Sequence, residues 1–78
     1  MALIREIRQI QKERNNVHAP VECSYCVFRS DGKTYLQLDT YGSVDRKLRG
    51  KVSQSIQLDE SSARQIKRLI EEAFPTLR

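Results

Sequence analysis

Residues 33–58 hold two runs in which apolar and polar side chains alternate, KTYLQLDTY and KVSQSIQL, joined by a connection rich in cations. A period of two dictates β-strands, each with two chemically different faces. In the first run Thr34, Leu36, Leu38 and Thr40 point one way, and Tyr35, Gln37, Asp39 and Tyr41 the other. In the second, Val52, Ile56 and Leu58 continue the apolar set, and Lys51, Ser53, Ser55 and Gln57 the polar one. Gln54 interrupts the apolar set and needs a hydrogen-bond partner if it is buried. A slip of one residue would invert every assignment, so the faces stand or fall together.

The flanking segments read as further elements. Residues 21–29 are rich in β-branched and aromatic residues and end at Ser30-Asp31-Gly32, which predicts a strand and a tight hairpin. Val21, Cys23, Tyr25 and Val27 share its expected core face; Glu22, Ser24, Cys26 and Phe28 share the other. Toward the C-terminus, Ala63, Ile66, Leu69, Ile70, Ala73 and Phe74 form an apolar stripe at helical spacing, with Asp59 as N-cap and Pro75 closing the helix. Lys67 and Glu71, and Arg68 and Glu72, stand at the spacing of helical ion pairs. At the other end, Leu3, Ile4, Ile7 and Ile10 fit an amphipathic helix over 2–14. Asn15-Asn16 supplies its stop, and His18-Ala19-Pro20 an extended connector. That helix serves either as a lid, a dimer arm or a basic surface, or simply as cover for one sheet face.

The expected fold is therefore α+β: an N-terminal helix, a three-stranded antiparallel meander, and a C-terminal amphipathic helix packed on the sheet. One small domain spans 1–78, with the N-terminal helix and linker at 1–16, the meander with its basic loop (42–50) at 20–58, and the C-terminal helix at 59–74. A chain of 78 residues has a core that supplies only about 3–5 kcal/mol, so small domains lean on disulfides, a metal or self-association. A homodimer is expected, with Ile66, Leu69, Ile70 and Phe74 of the wide C-terminal stripe in its interface.

Fourteen Lys and Arg against ten Asp and Glu leave a net charge of +4. The excess is local: between Gly42 and Ser53 stand Arg46, Lys47, Arg49 and Lys51 against Asp45 alone. Such a cluster draws polyanions, although a solvated loop that aids solubility has the same composition. No apolar run approaches the length of about 20 residues that crosses a bilayer, and charges interrupt the N-terminus every few residues. An intracellular, cytoplasmic protein with free thiols is expected, with nucleoid association open.

The residues offer little to catalysis. Cys23 and Cys26 have the spacing of a metal knuckle, yet only His18 could join them as a further soft ligand. In a strand their sulfurs also point to opposite faces. No helix begins there to stabilise a thiolate. The one histidine lies in a linker, and Glu22, Asp39 and Asp45 are scattered. Gly42 and Gly50 match no phosphate loop. The expectation is a non-enzyme without metal or cofactor.

What remains is the polar sheet face. Tyr35, Tyr41 and Phe28 offer surfaces for stacking, Arg46, Lys47, Arg49 and Lys51 offer charge for phosphates, and Gln37, Ser53, Ser55 and Gln57 offer hydrogen bonds. That mixture suits single-stranded DNA or RNA, with Asp39 counting against it. The alternative is a protein-interaction or assembly module that acts through the helices or the same face.

Residues 33–74 also resemble the single-stranded-DNA-binding domain of the positive-cofactor-four transcriptional coactivators and their small bacterial relatives. The likeness rests on the strand Tyr35-Leu36-Gln37-Leu38-Asp39-Thr40-Tyr41, the loop ending Arg49-Gly50-Lys51, the strand reaching Ile56-Gln57-Leu58, and Asp59-Glu60 opening an amphipathic helix. It implies single-strand binding on a curved sheet and dimerisation through the helix. Arg49 and Lys51 would then match the loop-to-strand contacts, and Tyr41 the aromatic at the strand end. The family's sheet has four strands ahead of the helix, against the three read here.

Overall fold

The computed structural model describes residues 1–42 and 51–77. The central hairpin forms as its turn chemistry dictates. Strand β2 (Cys23–Ser30) and strand β3 (Lys33–Tyr41) pair antiparallel, closed by Ser30 opposite Lys33. Asp31 (φ 51°) and Gly32 (φ 77°) both take positive φ, which a two-residue hairpin needs and which Asp tolerates and Gly adopts freely. The Tyr41 N–H donates to the Glu22 carbonyl at 3.1 Å, carrying the pairing one residue past the strand. On its other side β3 pairs antiparallel with β4 (Val52–Leu58), with Leu36 opposite Leu58, Leu38 opposite Ile56 and Asp39 opposite Ser55.

The N-terminus corrects the expected fold. No helix forms over 2–14. Ala2–Ile4 is instead a short strand, β1, lying parallel to β4. The sheet therefore has four strands in the order β1-β4-β3-β2 and is mixed, in place of a three-stranded antiparallel meander. Two physical terms favour the strand. An isolated helix of about 13 residues is marginal in water without a packed face, and Ile10 remains exposed here. The outer edge of β4 also carries unpaired backbone donors and acceptors that a strand satisfies, and Ile4 gains a place beside Leu58 on the apolar face. Because β1 is parallel to β4, the chain leaves it at the far end from Cys23 and on the opposite edge. Residues 5–22 make that return without regular structure and almost wholly exposed.

Helix α1 (Glu60–Ala73) follows β4 directly. Asp59 is its N-cap: one carboxylate oxygen accepts from the Ser62 N–H at 2.9 Å, and Ser62 Oγ accepts from the Asp59 N–H at 3.1 Å. This reciprocal box satisfies two donors that a helix start leaves unpaired. At the other end the Phe74 N–H donates to the Ile70 carbonyl, and Pro75 opens a single 3₁₀ turn, Pro75–Leu77. Among the described residues the ion pair is Arg64 with Glu60 at 3.8 Å, fully on the surface, in place of the two pairs expected further along. No helix among the described residues is long and apolar enough to cross a membrane.

Where the core sits is the unexpected part. Cys23, Tyr25 and Val27 do share a face with Leu36, Leu38, Ile56 and Leu58, but α1 covers only part of it. Leu58 is the one hydrophobic side chain among the described residues that is fully buried, at 5% exposure, while Tyr25 and Val27 are 73% and 62% exposed. A cleft of roughly 670 Å³ remains between the helix start and the hairpin, with Val27, Leu36, Leu58 and Ala63 in its lining. Gln54 on the same face is exposed and needs no partner.

Two outcomes test this packing. Leu58→Ala should cost about 2–5 kcal/mol, enough to unfold most of the population of so small a domain, as read by urea denaturation followed by circular dichroism. The Ser62 N–H bond holds the Asp59 carboxyl below its ordinary value of 3.8. A carboxyl depressed by folding stabilises above its unfolded pKa and loses that contribution as pH falls through the folded one. Asp59→Asn, which keeps a capping oxygen, should therefore melt below the parent at pH 7, and the gap should close as pH drops beneath the folded value.

Candidate nucleic-acid interface

The period-two alternation of β3 puts Tyr35, Gln37, Asp39 and Tyr41 on the face turned away from Leu36 and Leu38. Cross-strand pairing adds partners from both neighbours: Phe28 opposite Tyr35, Cys26 opposite Gln37 and Ser24 opposite Asp39 on β2, and Gln57 opposite Gln37 and Ser55 opposite Asp39 on β4. Leu3 of β1 stands beside Gln57. This polar face is continuous across the sheet, and its β3 members are half-buried.

The side chains on it are ordered by one another. Gln57 Nε2 donates to Gln37 Oε1 at 2.9 Å. Gln37 Nε2 in turn donates to Asp39, at 3.0 Å from Oδ1 and 3.3 Å from Oδ2. Ser55 Oγ donates to Asp39 Oδ1 at 2.5 Å. The result is a ladder in which each amide spends a donor on the next acceptor, ending at the carboxylate. Charge-assisted bonds of this kind are short and strong, and they fix the carboxylate plane of Asp39 and the rotamer of Gln37. Ser55 is buried, at 9% exposure, so its hydroxyl depends on that bond.

Aromatic rings flank the ladder. At the hairpin end, Phe28 and Tyr35 stack with centroids 5.5 Å apart and planes 23° from parallel, in the offset geometry that aromatic pairs prefer. At the opposite end, the Tyr41 hydroxyl and Ser24 Oγ are 2.8 Å apart, which ties the ring of β3 to β2 beside Asp39. Three rings and five further hydrogen-bonding side chains, Ser24, Gln37, Asp39, Ser55 and Gln57, thus occupy one face of three strands.

Of the binding residues expected from sequence, Tyr35, Gln37 and Tyr41 come together on this face. Lys51 lies exposed immediately before β4. The ladder register passes from Thr40–Gln54 to Tyr41–Val52 and skips Ser53, a bulge. The simple alternation therefore ends at Gln54, and Val52 stands opposite Tyr41 instead of continuing the apolar face. Ser53 is exposed but is not placed in the ladder with Ser55. Arg46, Lys47 and Arg49, with most of the basic loop, lie outside the described residues. Sequence reasoning undervalued Asp39, Ser55 and Ser24. The signal for Asp39 was present, since the pattern sets it two residues from both Gln37 and Tyr41. Its serine partners depend on strand register, which alternation alone does not give.

Cys23 and Cys26 are free, exposed and on opposite faces of β2. Among the described residues no cluster of three or more His, Cys, Asp or Glu is placed to hold a metal ion. Comparison with models of known families, with characterised proteins and with solved structures gives no match.

If the ladder orders this face, Asp39→Ala should cost about 1–3 kcal/mol, because it strands the buried Ser55 hydroxyl and a Gln37 amide. Ser24→Ala, at an exposed site, should stay within about 0.5 kcal/mol of the parent. Chemical denaturation of the two variants separates them.

Proposed function

We propose that this chain is a non-enzymatic module that binds single-stranded nucleic acid on the polar face of its sheet, with the basic connection between β3 and β4 holding the phosphates. The observation that supports it best is the pairing of two aromatic stations, Phe28 with Tyr35 and Tyr41 with Ser24, at either end of an ordered amide and carboxylate ladder. Unpaired bases present π-faces to such rings, and stacking is worth about 1–3 kcal/mol per base. Lys51 directly precedes Val52, the strand partner of Tyr41, so a cation suited to a backbone phosphate is one residue in sequence from the position opposite that ring. On this reading the likeness to the positive-cofactor-four domains extends to Tyr41, Arg49 and Lys51 as contact residues. The parallel β1 strand departs from that pattern.

The same reading includes a second copy of the chain. A folded monomer of 9.1 kDa should expose about 4,900 Å², whereas this chain exposes 7576 Å². Part of the excess belongs to residues 5–22. Exposed apolar side chains add to it: Tyr25 and Val27 on the partly covered face of the sheet, Leu69 and Ile70 on α1, and Phe74 at its C-cap. Pairing two such faces would bury the apolar side while leaving both polar faces open. A heterologous protein partner on that apolar face is the competing reading.

Fluorescence anisotropy with labelled oligonucleotides should show tighter binding to single strands than to duplex, weakening steeply with salt. Changing Arg49 and Lys51 together to Ala should flatten the salt slope by roughly 0.7 per lost contact. Tyr41→Ala should instead cost about 1–3 kcal/mol with the slope unchanged. Parent-like binding by both variants would transfer the function to protein interaction. Sedimentation should give a dimer that Leu69→Glu with Ile70→Glu converts to monomer; a folded parent monomer at high concentration would remove the second copy.

A further inference from the structure

The sheet ends on two unlike edges. On one side β1 is three residues long and passes straight into the charged residues Arg5 and Glu6, and so short an edge invites no further strand. On the other side β2 runs for eight residues in unbroken register with β3, and among the described residues nothing pairs with its outer edge. It holds no proline, lysine or bulge, the usual means by which an edge is blunted. Its one charge, Arg29, turns its guanidinium back to the Gly32 carbonyl at 3.3 Å. Two large apolar side chains, Tyr25 and Val27, stand exposed along it.

Which backbone groups that edge offers follows from the ladder. The Tyr41 N–H donates to the Glu22 carbonyl, and antiparallel pairing alternates bonded with non-bonded residues. Ser24, Cys26 and Phe28 therefore spend their N–H and C=O on β3, while Cys23, Tyr25, Val27 and Arg29 turn theirs outward. A second β2 running antiparallel meets this edge about a two-fold axis perpendicular to the sheet, which keeps apolar face beside apolar and polar beside polar. Directly opposed residues then share a face, so the axis passes through a residue position. Through Cys26 it aligns 23–29 with 29–23, setting Tyr25 against Val27 of the second copy and Val27 against its Tyr25. Aromatic and β-branched side chains opposed in this way stabilise a pairing. An axis at Tyr25 would use only 23–27 of the strand, and one at Val27 would set Tyr25 against Arg29.

We propose that two copies of the chain join edge to edge through β2, antiparallel about a two-fold axis at Cys26, into one continuous sheet. This rests on the second copy proposed above and gives its mode of contact. Both α1 helices stand on the same side of the joined sheet, over β3 and β4 of their own copies, with Tyr25 and Val27 of the two copies between them. On the polar side Ser24, 2.8 Å from the Tyr41 hydroxyl, comes opposite Phe28 of the second copy, itself stacked on a Tyr35. Aromatic stations from two chains thus stand side by side, and the polar face runs unbroken across the dimer.

Cys26 reports the register. At the axis it faces its own copy in a non-hydrogen-bonded pair, with Cα atoms about 4.5 Å apart, a separation that a disulfide bridges; Cys23 faces Arg29 instead. Diamide accepts the two electrons and two protons that a pair of thiols loses on forming a disulfide. It should link most Cys23→Ser chains into dimers and few Cys26→Ser chains. Linkage through Cys23 instead, or through both alike, overturns the register. On the unaltered protein, sedimentation should give a dimer, and hydrogen exchange followed by NMR should find the outward Tyr25 and Val27 amides as protected as the inward Cys26 and Phe28 amides. A dimer in which Tyr25 and Val27 exchange fast while Cys26 and Phe28 stay protected overturns the edge contact and leaves the second copy to another face. A folded monomer at high concentration overturns both. The exchange measurement needs no substitution, so its result does not depend on a variant folding.

Discussion

The pairing of β3 with β4 is the constraint on which the rest depends. It aligns Leu36 with Leu58 and Leu38 with Ile56 on one side, and Gln37 with Gln57 and Asp39 with Ser55 on the other. One register thus makes both the seat for the helix and the polar ladder. Shifted by a residue, it would set Asp39 among leucines and leave the amides without partners. The Asp59–Ser62 capping box, immediately after Leu58, starts the helix as the strand ends, so the only fully buried apolar side chain among the described residues sits where strand, helix and β1 meet.

Local signals explain what the sequence made legible. The β2–β3 turn follows from Asp31-Gly32, the helix from Asp59 and the apolar stripe, and the division of β3 into two faces from strict alternation. Each depends on residues within a turn or two of one another. The N-terminal strand was not legible because its cause is remote. Leu3, Ile4, Ile7 and Ile10 fit a helix by spacing, and only the open edge of β4, more than fifty residues away in sequence, makes a strand the better use of Ala2–Ile4. The bulge at Ser53 was hidden for a related reason: alternation reports the faces of one strand and is silent on where its partner skips a residue.

Burial was the other quantity that pattern could not supply. Tyr25 and Val27 lie on the face that alternation assigned to them, yet stay exposed because a single helix of fourteen residues cannot roof four strands. A sheet with one helical cover keeps a bare polar face and a bare apolar flank, and the two resolve that exposure differently. On the proposed reading a second copy of the chain covers the apolar one. On the polar one, donors and acceptors are already ordered by the Gln57–Gln37–Asp39 chain, so the ligand proposed for this face would meet groups whose orientation entropy has been lost on folding, which is how preorganised sites gain affinity.

The central claim, that the polar face is the binding surface, is tested most directly by NMR with a single-stranded oligonucleotide titrated into labelled protein. Side-chain signals report faces where backbone amides cannot. The account predicts that the Gln37 and Gln57 amide groups and the Tyr35 and Tyr41 rings shift together and saturate at one ratio, while Tyr25 and Phe74 stay fixed. Shifts concentrated at Tyr25, Val27 and Phe74, with the two glutamines unmoved, would contradict it.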